Sequence, residues 1–161
     1  QADAVVRITA DCPLIDPILI DEVITVFLNG DYDYVCNTLP PTYPDGLDIE
    51  VFSFAALKKA WQEAKLKSER EHVTAYIWKH PEKFKLKNVE NKKNYSKERW
   101  TLDTKEDLEF IRRVVGECQK QGKGYLSWLD MLEVINQHPE WRKINNQYER
   151  NEGYLKSLTE D

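Results

Sequence analysis

The chain has 161 residues, 41% hydrophobic and 32% charged, which excludes a disordered or membrane-embedded class and provides one domain with a real core. Its 23 basic and 28 acidic residues leave a net charge of −5, which argues against a general nucleic-acid binder. Cys12, Cys36 and Cys118 are widely spaced with no CxxC pair, so reduced thiols are expected rather than a disulfide framework or a zinc site.

Residues 5–16 read VVRITADCPLID, a β-branched run that ends in an acid, a proline and a second acid. This pattern predicts a buried parallel strand that delivers Asp11 just past its C-terminal end, where open α/β sheets bind nucleotides and metals. A sheet-centre strand this near Gln1 has no earlier neighbours, so the sequence reads as a domain lacking its N-terminal part. Asp16 suits the N-cap before Pro17, and Ile18, Ile20, Val23, Ile24, Phe27 and Leu28 recur at helical spacing up to Asn29 and Gly30. Residues 34–36 predict a short strand, and 39–46, LPPTYPDG, a Pro-rich loop at the sheet edge or mouth. Residues 47–54 alternate as a strand with Asp48 and Glu50 on one face, and a helix follows from Ser53 or Phe54 to about Lys65.

Ser68 is expected to cap a helix with Glu69 and Glu71 in its first turn, running to His80 before Pro81 stops it. Residues 84–89 predict a strand, and 89–98 a polar hairpin or loop. Residues 100–103 predict a short strand ending at a second acid, Asp103. Thr104 then caps a helix whose stripe is Leu108, Ile111, Val114, Val115 and Cys118, ended by Gly122 and Gly124. Two more helices, 127–137 and about 140–158, flank Pro139. Trp61, Trp78, Trp100, Trp128 and Trp141 fit core positions better than a stacking platform. No apolar run approaches the roughly 20 residues of a membrane span, and the first residues lack signal-peptide character. A cytoplasmic protein with neither membrane nor nucleic acid as partner is expected.

The junctions TADCPLID and TLDTKEDLE share one design. On neighbouring strands Asp11 and Asp103 would converge at one sheet edge, where paired carboxylates suit a hard ion such as Mg²⁺ bridging phosphate oxygens. The same acids serve equally well as ordinary caps and turn residues.

Together the segments VVRITADCPLIDP, NTLPPTYPDGLDIEVFSFAAL, SEREHVTAYIWKHPEKF and RWTLDTKEDLEFI resemble the cytidylyltransferases of the spore coat polysaccharide biosynthesis protein F type, which belong with the CMP-Kdo and CMP-sialic acid synthetases. The similarity covers about residues 2–113. It implies a GT-A-like, Rossmann-type α/β fold with a sheet flanked by helices. It also implies CMP transfer from CTP to a sugar or sugar acid for polysaccharide or glycan biosynthesis, with release of pyrophosphate and Mg²⁺ held by Asp11 and Asp103. The family's LxARxxSxRLPGK nucleotide loop is absent, and the six glycines form neither GxGxxG nor a P-loop. The expectation is therefore that residues 1–121 are the C-terminal part of a cytidylyltransferase-like domain, that 122–161 are a helical extension, and that this chain alone does not turn over CTP.

Around the Pro-rich loop, Tyr43, Asp45, Asp48 and Glu50 offer carboxylates and a ring for sugar hydroxyls; for Asp45 a solvated turn is the plain alternative. Arg70 and His72, at the start of the SEREHV helix, suit an anionic group or an exposed helix turn. Arg99 suits phosphate or a surface ion pair. Asp16 is read as a cap rather than a ligand, and His80 and His138 as structural. Two other classes stand beside this one: a GT-A-like glycosyltransferase, against which the reading DCP rather than DxD at residues 11–13 argues, and a noncatalytic module. In the latter, Trp128, Leu129, Leu132, Trp141 and Tyr148 would form a partner or homodimer surface.

Overall fold

A computed structural model describes residues 2–123 and 126–161; Gln1 and Gly124, the latter expected to help end a helix, lie outside the described residues. In chain order the elements are β1 (Ala4–Arg7), α1 (Pro17–Leu28), β2 (Tyr34–Cys36), β3 (Glu50–Ser53), α2 (Phe54–Glu63), α3 (Lys67–Glu71), α4 (Ala75–Lys79), β4 (Leu86–Asn88), α5 (Lys105–Lys120), α6 (Trp128–Gln137), a 3-10 segment (Pro139–Ile144) and α7 (Glu152–Ser157). A final 3-10 turn spans Leu158–Glu160. Among the described residues no helix is long and apolar enough to cross a membrane.

The sheet runs β1-β3-β2-β4, with β3 antiparallel to both β1 and β2, and β2 parallel to β4. Side chains alternate across it as the pleat requires. Val35 and Val51 face a cluster containing Val23 of α1, Trp100, Phe110 and Val114 of α5, and Met131 and Ile135 of α6. Tyr34 and Phe52 face the opposite cluster with Ala56 and Ala60 of α2, Ile77 of α4 and Phe84. Helices therefore cover both faces, and α6 shares the sheet's own core.

Local capping explains the helices that the sequence predicts. Asp16 accepts from Ile18 N at 2.8 Å, Ser53 from Ala56 N at 3.0 Å, and Thr104 from Asp107 N at 3.2 Å. The α5 stripe buries Ile111, Val114 and Cys118 as its spacing requires. Other expectations give way to tertiary partners. β1 is not a buried parallel strand: among the described residues it pairs with β3 alone, antiparallel, and leaves Val6 41% exposed. The helix expected from Ser68 to His80 breaks at His72, whose backbone turns to ψ 82°, while the Thr74 hydroxyl donates to Glu50 on β3. Ser68 lies within α3 rather than capping it; Glu69 instead accepts from Lys65 N and Leu66 N at 3.3 and 3.4 Å.

Residues 100–103 form no ladder; a single bridge joins Asp45 to Arg99, and Leu102 N donates to Asp11 O at 2.8 Å. The helix expected over 140–158 is replaced by the 3-10 segment, irregular chain and α7, because Asn145 turns its amide inward to Asp107 Oδ1 at 2.8 Å and to Arg99 O at 3.1 Å. Trp61, expected in the core, is exposed on α2.

Candidate active site

A cavity of about 560 Å³ opens beside the end of β1 and gathers Asp11, Asp45, Asp48, Glu50, His72, Arg99 and Asp103 from separate stretches of chain. The Pro-rich loop is held to its wall by backbone pairing. Asp45 N donates to Glu98 O at 2.9 Å, and Trp100 N donates to Asp45 O at 2.7 Å. Gly46 makes this approach possible. Its φ is +100°, and a Cβ there would lie 2.6 Å from the Trp100 carbonyl carbon, so the position requires both a left-handed backbone and no side chain. Asn37 locks the run into β3, donating to Leu47 O at 2.7 Å and accepting from Ile49 N at 2.9 Å.

Carboxylates crowd the cavity, and arginines sort them. Arg99, with its side chain only 10% exposed, donates from Nε to Asp107 Oδ1 at 3.0 Å and from Nη2 to Asp107 Oδ2 and Asp103 Oδ2, each at 2.9 Å. Its Nη1 lies 3.6 Å from Asp45 Oδ2. Burial alone would raise the Asp107 carboxyl, but bonds from Arg99 and Asn145 outweigh it and hold the group below the usual carboxylate range. Glu50 is equally committed: it pairs with Arg7, its cross-strand neighbour, and accepts from the Tyr34 and Thr74 hydroxyls. Burial, reinforced by the nearby Glu50 charge, pushes the Tyr34 hydroxyl well above its ordinary value.

Asp11 is differently placed. The Thr101 hydroxyl sits 3.4 Å from Asp11 Oδ2 and 3.4 Å from Asp103 Oδ2, so the two oxygens lie within twice that distance of each other. Hard oxygen donors in this arrangement fit Mg²⁺ bound through one or two carboxylates, with water and phosphate oxygens completing the shell. Among the described residues no group of three or more His, Cys, Asp and Glu is placed to form a protein-only metal cage. Burial pushes the neighbouring Cys12 thiol up to about 11, so it is no nucleophile near neutrality.

Two expected site residues lie elsewhere. Tyr43 is buried in the core, its ring edge-on to Trp128 with centroids 5.6 Å apart. Arg70 points away, donating from Nη1 to Trp61 O at 2.8 Å on the exterior. The surface proposed for a partner is largely internal: Leu132 is buried, Trp128 packs against Tyr43 and Tyr95, and Tyr148 donates to Glu106 at 3.1 Å. Leu129 remains exposed. Conversely, sequence reasoning missed Asp107 and Arg150, both bonded to pocket residues. The Thr104–Asp107 capping spacing signalled the first; nothing in the local sequence signalled the second.

A mixed sheet with helices on both faces and an acidic cavity beside its edge defines an α/β protein with a polar ligand site. The family model described as Cytidylyltransferase matches residues 1–131, and the chain belongs to that family. It is 42% identical over 151 residues to an uncharacterized protein of Methanocaldococcus jannaschii, covering 91% of this chain and 58% of that protein. To the spore coat polysaccharide biosynthesis protein SpsF of Bacillus subtilis it is 30% identical over 146 residues, covering 87% of this chain and 58% of the relative. The solved structure of a cytidylyltransferase from Leptospira borgpetersenii serovar Hardjo-bovis superposes with a TM-score of 0.79 at 34% identity, covering 92% of this chain and 61% of that one. The chain thus spans about three-fifths of the length of the relatives it matches, and the family resemblance carried by its motifs holds.

Proposed function

We propose that the whole protein transfers CMP from CTP to a hydroxyl of a sugar or sugar acid in polysaccharide or glycan biosynthesis, releasing pyrophosphate, and that this chain supplies the acceptor pocket and the metal carboxylates. The observation that carries this reading is the meeting of Asp11 and Asp103 at Thr101, inside the same cavity as Asp45, Asp48 and Glu50. As the acceptor oxygen bonds to the α-phosphorus, its proton passes to a pocket carboxylate and the electrons of the breaking P–O bond leave with pyrophosphate. Such chemistry depends chiefly on positioning and on neutralising charge. Asp11 and Asp103 would hold Mg²⁺, which supplies that neutralisation at the phosphate oxygens.

The chain's own side chains then have separable tasks. Asp45 and Asp48 accept hydrogen bonds from acceptor hydroxyls. His72 lines the same cavity, its ring edge-on to Tyr154 and its Nε2 buried without a hydrogen-bond partner. Arg99 fixes Asp103 toward the cavity through Nη2, with Nε and Nη2 also held by Asp107. We infer a cytoplasmic location for the reaction.

Pyrophosphate release by the whole protein, measured with each nucleoside triphosphate and a panel of sugars, tests the reading. CTP alone should support release, EDTA should abolish it, and Asp11→Asn or Asp103→Asn should slow it by at least about a hundredfold. Binding of UDP-sugars without a preference for CTP would instead favour the glycosyltransferase. The 161-residue chain by itself is expected to be inactive.

A further inference from the structure

The stretch after the 3-10 segment Pro139–Ile144 lies beyond the matched residues 1–131, yet residues 148–156 form one rim of the cavity. It is anchored along its length. Tyr148 bonds Glu106, and the Tyr154 ring stands edge-on to His72 at 5.1 Å and to Trp78 at 5.3 Å. Farther on, Asp161 accepts from Ser68 N at 2.7 Å and from Ser68 Oγ at 2.6 Å. Between these anchors Arg150 inserts its side chain, 14% exposed, behind the Pro-rich loop. Nη2 donates to Asp48 Oδ1, Nη1 donates to the Tyr43 carbonyl at 3.4 Å, and Nε lies 3.6 Å from Asp45 Oδ1.

Two carboxylates three residues apart on one wall repel each other and resist burial unless a cation lies between them. Arg99 and Arg150 each approach Asp45 at 3.6 Å, one from either carboxylate oxygen, while the closer bonds of Arg99 go to Asp103 and Asp107. Among the described residues no other cation pairs with Asp48. Burial pushes Asp45 up to about 6 and Asp48 upward as well, and for both Arg150 is the foremost opposing influence. A planar guanidinium can span two carboxylates and a carbonyl at once, which an ammonium cannot.

We propose that Arg150 is a positioning residue for acceptor binding: from behind the Pro-rich loop it fixes Asp45 and Asp48 as adjacent hydrogen-bond acceptors facing the cavity, so that Arg150 sets acceptor affinity without touching the acceptor. This rests on the cavity being the acceptor site. In the whole protein, with CTP and Mg²⁺, pyrophosphate release is followed across a panel of aldoses, amino sugars and sugar acids, and the sugar used by the wild type is carried forward. Arg150→Ala should raise the KM for that sugar by about tenfold or more and leave the KM for CTP within about twofold. Arg150→Lys should recover part of the loss. Ser68→Ala, which loosens the far end of the segment but leaves Asp45 and Asp48 paired, should stay near wild type.

An unchanged sugar KM in Arg150→Ala overturns the proposal and leaves the pocket reading intact. So does a sugar KM raised equally by Ser68→Ala, or one raised together with the KM for CTP. If Arg150→Ala does not fold, Arg150→Lys decides: a wild-type sugar KM in that variant overturns the role. A wild type that uses no sugar of the panel overturns the acceptor reading, and the role of Arg150 with it.

Discussion

Asp107 is fully buried, yet its carboxylate accepts from Arg99, from Asn145 and from the backbone N–H groups of Asp103 and Thr104. Removing it strands a buried guanidinium and uncaps α5. Asp107→Ala should therefore lower stability by about 3 kcal/mol, read from urea denaturation. Its pKa lies below the ordinary value of 3.8, so the stability it confers is present above that value and is lost as pH falls through the lower folded one. Asp45 has the opposite sign. With its pKa raised from 3.8 to about 6, the folded form holds the proton more tightly than the unfolded chain, so stability falls as pH rises through that window. Relative to Asp45→Asn, the wild type should lose on the order of 3 kcal/mol across it; urea midpoints of the two proteins that run parallel from one end of the window to the other would refute this. Asp11, Asp103, Asp48 and Glu50 were legible as residues that share one cavity because motif and alternation place them. Tyr43 misled because an aromatic beside a Pro-rich loop looks the same in sequence whether its ring turns to a ligand or, as here, to Trp128.

Among the elements, α1 and α6 share a fastening. Asp16 accepts from Ile18 N at 2.8 Å with one oxygen and from Trp128 N at 2.8 Å with the other, so a single carboxylate holds the starts of both helices. Asp16→Ala should cost about 2 kcal/mol, more than one ordinary cap, and should speed amide exchange in the first turn of α6 as well as α1; exchange confined to α1 would contradict the shared role. The elements legible in sequence are those whose signals are local. Asp16, Ser53 and Thr104 cap their own helices, and the α5 stripe needs only its own spacing. Those misread are set from a distance. The break between α3 and α4 follows from Thr74 reaching Glu50, and the loss of the helix expected over 140–158 follows from Asn145 reaching Asp107. β1 was misassigned for the same reason, since a β-branched run does not reveal the direction of its partner.

Across the molecule, the cavity's walls come from residue 7 at one extreme and residue 156 at the other. Arg150 meets Asp48 across a separation of 102 residues, and Ser68 meets Asp161 across 93. No spacing rule reaches so far, which is why the acids of the site were readable and their cation was not. Contacts of such range form only after the sheet and its helices are in place, because the loop they close carries an entropy that local structure must first reduce. The rim should therefore open before the core does. A sugar bound in the cavity would draw on that order by mass action, slowing amide exchange across residues 148–158 while leaving β2 and β3 unchanged. Exchange measured with and without the sugar reads this directly, and equal protection everywhere would contradict it. A bound sugar would then act as a late fastening of the fold, holding shut the segment whose arginine is proposed to arrange its site.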